Sequence, residues 1–164
     1  MERICAPAEL FFDFVRSFIG AGAQIRSFLT FDDEKENMMN KKAVIVVGEH
    51  GSGKSRLIRE FLKPLCGMTI NQQYSVVNGR RLWIKSQTLQ EAQSDLTALL
   101  NKLDKCDSLV MPSWPMEKGS PSLKDVISAI KSHGFDIAVI EWVRANNDKV
   151  CKAKANDIFN IISK

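Results

Sequence analysis

The stretch Ala43-Val44-Ile45-Val46-Val47-Gly48-Glu49-His50-Gly51-Ser52-Gly53-Lys54-Ser55-Arg56-Leu57-Ile58-Arg59-Glu60-Phe61-Leu62 decides the fold. Its first five residues are apolar and mostly β-branched, the composition of a strand buried on both faces of a parallel sheet. Its last seven carry apolar residues at helical spacing. Between them lies G-x-x-x-x-G-K-S over residues 48–55, in the strand–loop–helix context that this pattern requires. Gly48, Gly51 and Gly53 admit backbone angles that a side chain forbids, so the loop can wrap with successive N–H groups aimed at one anion. A helix beginning near Gly53 adds its unpaired amides and the positive end of its dipole.

Residues 42–65 resemble the P-loop NTPase superfamily. The resemblance implies a purine triphosphate, ATP or GTP, bound with Mg2+. Its contacts would be Gly48, Glu49, His50, Gly51, Ser52, Gly53, Lys54, Ser55 and Arg56. Lys54 would reach the β- and γ-phosphates, and the Ser55 hydroxyl would ligate Mg2+.

Catalysis needs an acid as well, and the usual place is the end of a buried apolar strand. Residues 108–111 form one such strand but end at Pro112-Ser113, with no carboxylate. Residues 137–140 form another and end at Glu141, which the pattern nominates as the catalytic acid or as a Mg2+ contact through water. Pairing with Arg144 or simply ending the strand is the other reading of Glu141. Asp107 and Asp136 precede their strands, at the sheet edge away from the loop, and are set aside.

Outside the loop the element order resembles small P-loop kinases of the zeta-toxin and nucleotide-kinase kind. That resemblance implies basic residues after the last strand, with Arg144, Lys149, Lys152 and Lys154 in position and Arg144 stabilising transferred charge. It implies an acceptor near residues 112–119. Those kinases carry an aspartate just after their second strand, where this chain has Ser86-Gln87-Thr88 and no acid before Glu91. An ATPase or nucleotide-dependent switch acting on a protein or nucleic-acid partner is the alternative to phosphotransfer.

The remaining elements read in order. Asn78-Gly79 between apolar runs predicts a hairpin over residues 72–85. Thr88-Leu89-Gln90-Glu91 has capping-box spacing and opens a helix to about residue 103. Ser120-Pro121 is expected to open the next helix, which closes at His133-Gly134. A terminal helix follows over about 147–163. Strands alternating with helices predict a three-layer α/β fold with a mainly parallel sheet. Trp83, Trp114 and Trp142 read as core or pocket wall, Trp114 being the one expected at a pocket. Arg80-Arg81 at the hairpin could meet phosphate or simply be an exposed turn. His50 is expected to point to solvent.

The chain has 164 residues and 45% hydrophobic and 26% charged residues, ordinary for one globular body. The net charge of +4 is uneven: residues 1–40 hold four basic and seven acidic side chains, residues 41–164 nineteen and twelve. A basic body fits a polyanion, either a nucleotide or, without further indication, a nucleic acid. Four cysteines without C-x-x-C spacing and two histidines argue against zinc and for reduced thiols. No apolar run approaches the roughly 18 residues of a membrane span, and no secretory leader is evident, so a cytoplasmic location is expected. Residues 1–40 read as an amphipathic helix and acidic linker ahead of a nucleotide-binding domain at 41–164. Leu10, Phe11, Phe14, Val15, Phe18, Ile19, Ile25, Phe28 and Leu29 mark its apolar stripe. This stripe either packs on the sheet or serves self-association or a protein partner.

Overall fold

The computed structural model describes residues 40–92, 96–115, 120–145 and 147–164. The N-terminal helix expected over 8–30 lies outside them, as do residues 116–119. Five strands form one sheet: β1 (Lys41–Val47), β2 (Tyr74–Val77), β3 (Arg80–Ile84), β4 (Ser108–Ser113) and β5 (Phe135–Glu141). The first helical segment, α1, comprises Lys54–Arg56, a π-helical stretch Leu57–Leu62 and Lys63–Leu65. The helices α2 (Leu96–Leu103), α3 (Leu123–Ser132) and α4 (Asp148–Ile162) follow. The strand order is β2-β3-β4-β1-β5, parallel throughout except for the β2–β3 hairpin.

β1 lies inside the sheet, between β4 and β5, and its apolar run is buried on both faces. Val44 and Val46 pack on one face with Leu57, Ile58 and Leu62 of α1 and with Cys151, Ala155, Ile158 and Ile162 of α4. Ala43, Ile45 and Val47 pack on the other with Leu99 and Leu103 of α2 and with Leu123, Val126 and Ile130 of α3. Helices thus cover both faces of the sheet, the arrangement that alternating strands and helices predict. The 4-3-4 spacing of the buried α4 residues is one helical face. Among the described residues no helix is long and apolar enough to cross a membrane.

Local chemistry explains the boundaries. Asn78 and Gly79 both adopt positive φ, 51° and 78°, the geometry of a two-residue hairpin turn. α3 starts at Leu123 rather than at Ser120-Pro121, because Ser122 is the cap: its hydroxyl accepts from the Asp125 amide, and the Asp125 carboxylate accepts from the Ser122 amide. β4 runs through Pro112 to Ser113, two residues beyond the expected end. The proline is tolerated there because β3 has already ended: its last partner on β4 is Val110, so no strand waits for a Pro112 N–H.

The hairpin arginines are structural. Arg80 is buried and donates to the Asn40 and Asp107 carbonyls. Arg81 grips Asp107 at 2.7 and 3.0 Å, and its amide donates to the same carboxylate at 2.9 Å. The Arg81 guanidinium hydrogen bonds, supported by that amide, hold the Asp107 carboxyl down to about 2. Asp136 pairs with Lys42 at 2.8 Å. Asp107 precedes β4, while Asp136 is the second residue of β5 rather than ahead of it as expected; both lie at the sheet end away from the glycine loop.

A carboxylate with a depressed pKa stabilises the fold fully above its unfolded value near 4 and loses that contribution as pH falls toward 2. Acid unfolding of the wild type is therefore expected to steepen between about pH 4 and pH 2. Asp107→Asn should cost about 1.5 kcal/mol at neutral pH, as expected for hydrogen bonds to a charged group, and should flatten that slope. Urea midpoints measured across the pH range check both. An unchanged pH profile in Asp107→Asn contradicts the assignment.

Candidate functional site

The glycine loop, residues 48–53, leaves β1 at the C-terminal end of the parallel strands, where open α/β sheets bind ligands. Gly51 and Gly53 take positive φ, 72° and 87°. Gly48 does not; its requirement is space. A β-carbon there would lie 2.4 Å from the Trp142 carbonyl oxygen. The loop closes on itself through Ser52 N–H donating to Glu49 O at 3.2 Å, and α1 begins with Leu57 N–H donating to Gly53 O at 2.9 Å. The first amides of α1 have no intrahelical acceptor and face the loop end of the helix.

Lys54 is almost wholly buried. Its Nζ donates to Gly48 O and Glu49 O, both at 2.7 Å, and lies 3.4 Å from Ser52 Oγ. No carboxylate lies within ion-pair distance of it among the described residues. Burial lowers its pKa, and the more distant Glu91 and Glu49 carboxylates pull it part of the way back. Ser55 Oγ donates to Ser86 O at 2.7 Å, which ties the start of α1 to the chain just after β3.

Glu91 is the acid that the sequence reading passed over. Its spacing from Thr88 marks it as a helix cap, and the reciprocal bonds are present: Thr88 N–H donates to Oε2 at 3.3 Å and Glu91 N–H donates to Thr88 Oγ1 at 3.0 Å. They close a turn over residues 89–92, however, and α2 spans Leu96–Leu103 rather than starting at Thr88 as expected. Its other oxygen lies 3.3 Å from Nδ1 of the loop's His50. Glu91 also lines a polar cavity of about 330 Å³ with Ser55, Ser86 and Gln87. Only the folding of the 86–91 segment, tied to α1 through Ser86 O and to the loop through His50, gives this turn residue its position beside Ser55.

Glu141 lies elsewhere. It ends β5 and is paired with Val47, on the side of β1 away from β4 and β3. It lines a different cleft, of about 450 Å³, with loop residues 48–52, Pro115, Trp142, Val143 and Arg144. The structure thus brings Glu141 and Arg144 together with the outer loop, and Glu91 together with Ser55. Arg56, expected at the phosphates, is held by Glu60 and by Asp148 of α4, each at 2.9 Å. Lys149 and Lys152 are exposed on α4, and Lys154 pairs with Asp157 at 3.5 Å within that helix.

Trp142, not Trp114, is the tryptophan that shapes the loop. Its indole N–H donates to Ser52 O at 3.0 Å and its backbone N–H to Val47 O at 2.7 Å. Trp114 packs edge-on against His50, which is otherwise largely exposed, with ring centroids 6.0 Å apart. Trp83 stacks on Tyr74, away from the loop. Among the described residues no group of three or more His, Cys, Asp or Glu could hold a metal ion. The three described cysteines are buried and unbridged, and burial pushes the Cys66 and Cys106 thiols up to about 11.

Two loop substitutions separate space from backbone angle. Gly48→Ala drives a methyl group into the Trp142 carbonyl and should cost about 3 kcal/mol, the upper end for overpacking. Gly51→Ala meets no atom within 4 Å and carries only its positive φ, so about 1 kcal/mol is expected. Equal losses in urea denaturation would refute the steric account of Gly48. What this site does is argued from its own geometry alone, since the chain matches no family model, no curated protein and no solved structure.

Proposed function

We propose that residues 40–164 are a P-loop nucleotide-binding domain that holds ATP or GTP with Mg2+ and passes the terminal phosphoryl group to an acceptor. The observation that supports it most is the Lys54 ammonium: buried, held by two backbone carbonyls, and without an ion-pair partner among the described residues. A buried cation without a counter-charge is costly. A polyphosphate in the loop relieves that cost by supplying the missing anion, and the amides at the start of α1 complete its cradle.

In this reading Lys54 swings from the carbonyls to the β- and γ-phosphate oxygens. The donor chemistry also fits the metal: Mg2+ in such sites takes few protein oxygens together with phosphate oxygens and water, and Ser55 supplies a hydroxyl at the right end of the helix. Bound Mg2+ would neutralise charge on the β- and γ-phosphates. Glu91, on the segment after β3 and in the same cavity as Ser55, is the residue to receive the proton of an incoming hydroxyl. β4, beside β1 on this side, ends in Ser113 and offers no carboxylate, so Glu91 takes the acid's role here in place of Glu141.

Calorimetric titration with ATP and GTP in the presence of Mg2+ tests binding. Lys54→Ala is expected to remove measurable binding at millimolar nucleotide while leaving the thermal unfolding transition in place. Wild-type protein that binds neither nucleotide sinks the proposal. Glu91→Gln should slow nucleotide turnover at least tenfold, about 1.4 kcal/mol of barrier, with affinity retained. Glu141→Gln should change turnover less than twofold. The reverse order of the two effects would return the acid's role to Glu141. Free phosphate as the only product, whatever acceptor is supplied, would point to an ATPase or switch.

Burial lowers the Lys54 pKa, and a bound anion stabilises its charged form, so affinity should fall as pH rises through that lowered value, below the ordinary lysine range near 10.5. Titrations between pH 7 and 10 measure it. A flat profile over that range contradicts the role of the buried ammonium.

A further inference from the structure

Beside the loop, the face of α1 that begins at Ser55 continues as Arg59 and Lys63, each four residues on. All three line the polar cavity of about 330 Å³ that Glu91 also borders, with Asn71, Gln73 and Gln87 supplying amide groups around it. Residues four apart share a helical face. The helix is π-helical between Leu57 and Leu62, with the Lys63 amide donating to Ile58 O, five residues back. Such wide turns are uncommon and recur at functional sites.

The charges in this cavity are unusual. Lys63 is 1% exposed. Among the described residues its Nζ has one hydrogen-bond partner, the Ile70 carbonyl oxygen at 2.6 Å. Arg59 is exposed and has no hydrogen-bond or ion-pair partner among the described residues. Burial lowers the Lys63 pKa, and the neighbouring Arg59 charge lowers it further. Two cations side by side, one of them desolvated, raise the free energy of the empty pocket. An anion bound between them reverses both costs. Among the described residues the one carboxylate lining the cavity, Glu91, is held by Thr88 and His50.

We propose that this cavity is the phosphoryl-acceptor site, and that its ligand is a small hydroxyl compound carrying a phosphate or carboxylate group. The inference rests on the phosphotransfer reading above. Arg59 and Lys63 take the anionic group, and Asn71, Gln73 and Gln87 hydrogen-bond the body of the molecule. The free hydroxyl is then directed to the Ser55 and Glu91 end, where the terminal phosphate of the nucleotide would lie. The hydroxyl oxygen forms the new P–O bond, the bond from the γ-phosphorus to the β–γ bridging oxygen breaks, and the nucleoside diphosphate leaves with that oxygen. The hydroxyl proton passes to the Glu91 carboxylate and then to water. A volume of about 330 Å³ is at the small end for ligand pockets, which suits a compact metabolite rather than a polymer.

The experiment uses inorganic phosphate as the probe on protein already saturated with Mg2+ and the β,γ-imido analogue of ATP, so that the glycine loop is filled. Calorimetry is expected to show saturable phosphate binding in the millimolar range. Arg59→Ala, an exposed change that spares the core, should weaken it at least tenfold while the analogue's own affinity moves less than twofold. Lys63→Met should do the same if it folds, and Arg59→Ala decides the matter if it does not. Analogue binding without saturable phosphate binding overturns the acceptor site and leaves the nucleotide reading standing. Phosphate binding that Arg59→Ala does not weaken also overturns it, as does an equal loss of analogue affinity. Failure of the analogue to bind the wild type overturns the nucleotide reading, and the acceptor site with it.

Discussion

The chain leaves β1 through a clamp. Gly48 N–H donates to Ser113 O of β4 on one side, and Trp142 N–H donates to Val47 O on the other. The Trp142 carbonyl then crosses so close above Gly48 that no side chain fits there, and the Trp142 indole reaches over to hold Ser52 O. The two strands flanking β1 thus fix where the loop starts, and Trp142 fixes how it turns. Everything proposed for the site depends on this geometry. A loop free to relax would let Lys54 reach solvent, and a solvated lysine carries no stored preference for an anion.

That clamp also divides the surroundings of the loop in two. On the β5 side lies the cleft walled by Trp142, Val143 and Pro115, with Glu141 and Arg144 at its border. On the β3 side lies the polar cavity shared by Ser55, Arg59, Lys63 and Glu91. The helix between loop and cavity carries Ser55, Arg59 and Lys63 on the cavity side and Leu57, Ile58 and Leu62 on the side toward the sheet. Its other surface cation, Arg56, is spent on Glu60 and Asp148, which anchors the start of α4 to α1. Cations on one short helix therefore have separate duties, set by which direction each side chain leaves the axis.

Most elements were legible because their signals are local. The five-residue apolar run of β1, the Asn78-Gly79 turn and the 4-3-4 apolar spacing of α4 act over a few residues each. Where local reading missed, a neighbour in space was responsible. Pro112 stays in β4 because β3 stops short of it, and Ser122 rather than Ser120 caps α3 because the Asp125 carboxylate answers it. Arg80 and Arg81, at an exposed-looking turn, are consumed by Asp107 and by the Asn40 carbonyl from across the sheet edge.

The sequence by itself determined that a strand, a glycine loop and a helix follow one another at residues 41–65, because each needs only its own residues and backbone angles. It determined that strands and helices alternate, and hence that a mainly parallel sheet is covered on both faces. Tertiary structure alone decided which carboxylate shares a cavity with Ser55. Along the chain only Glu141 ends an apolar strand, and Glu91 reads as a cap. The order β2-β3-β4-β1-β5 sets β5 on the far side of β1 from the chain that follows β3. Strand order is settled by long-range packing among elements dozens of residues apart, and no spacing within a motif encodes it.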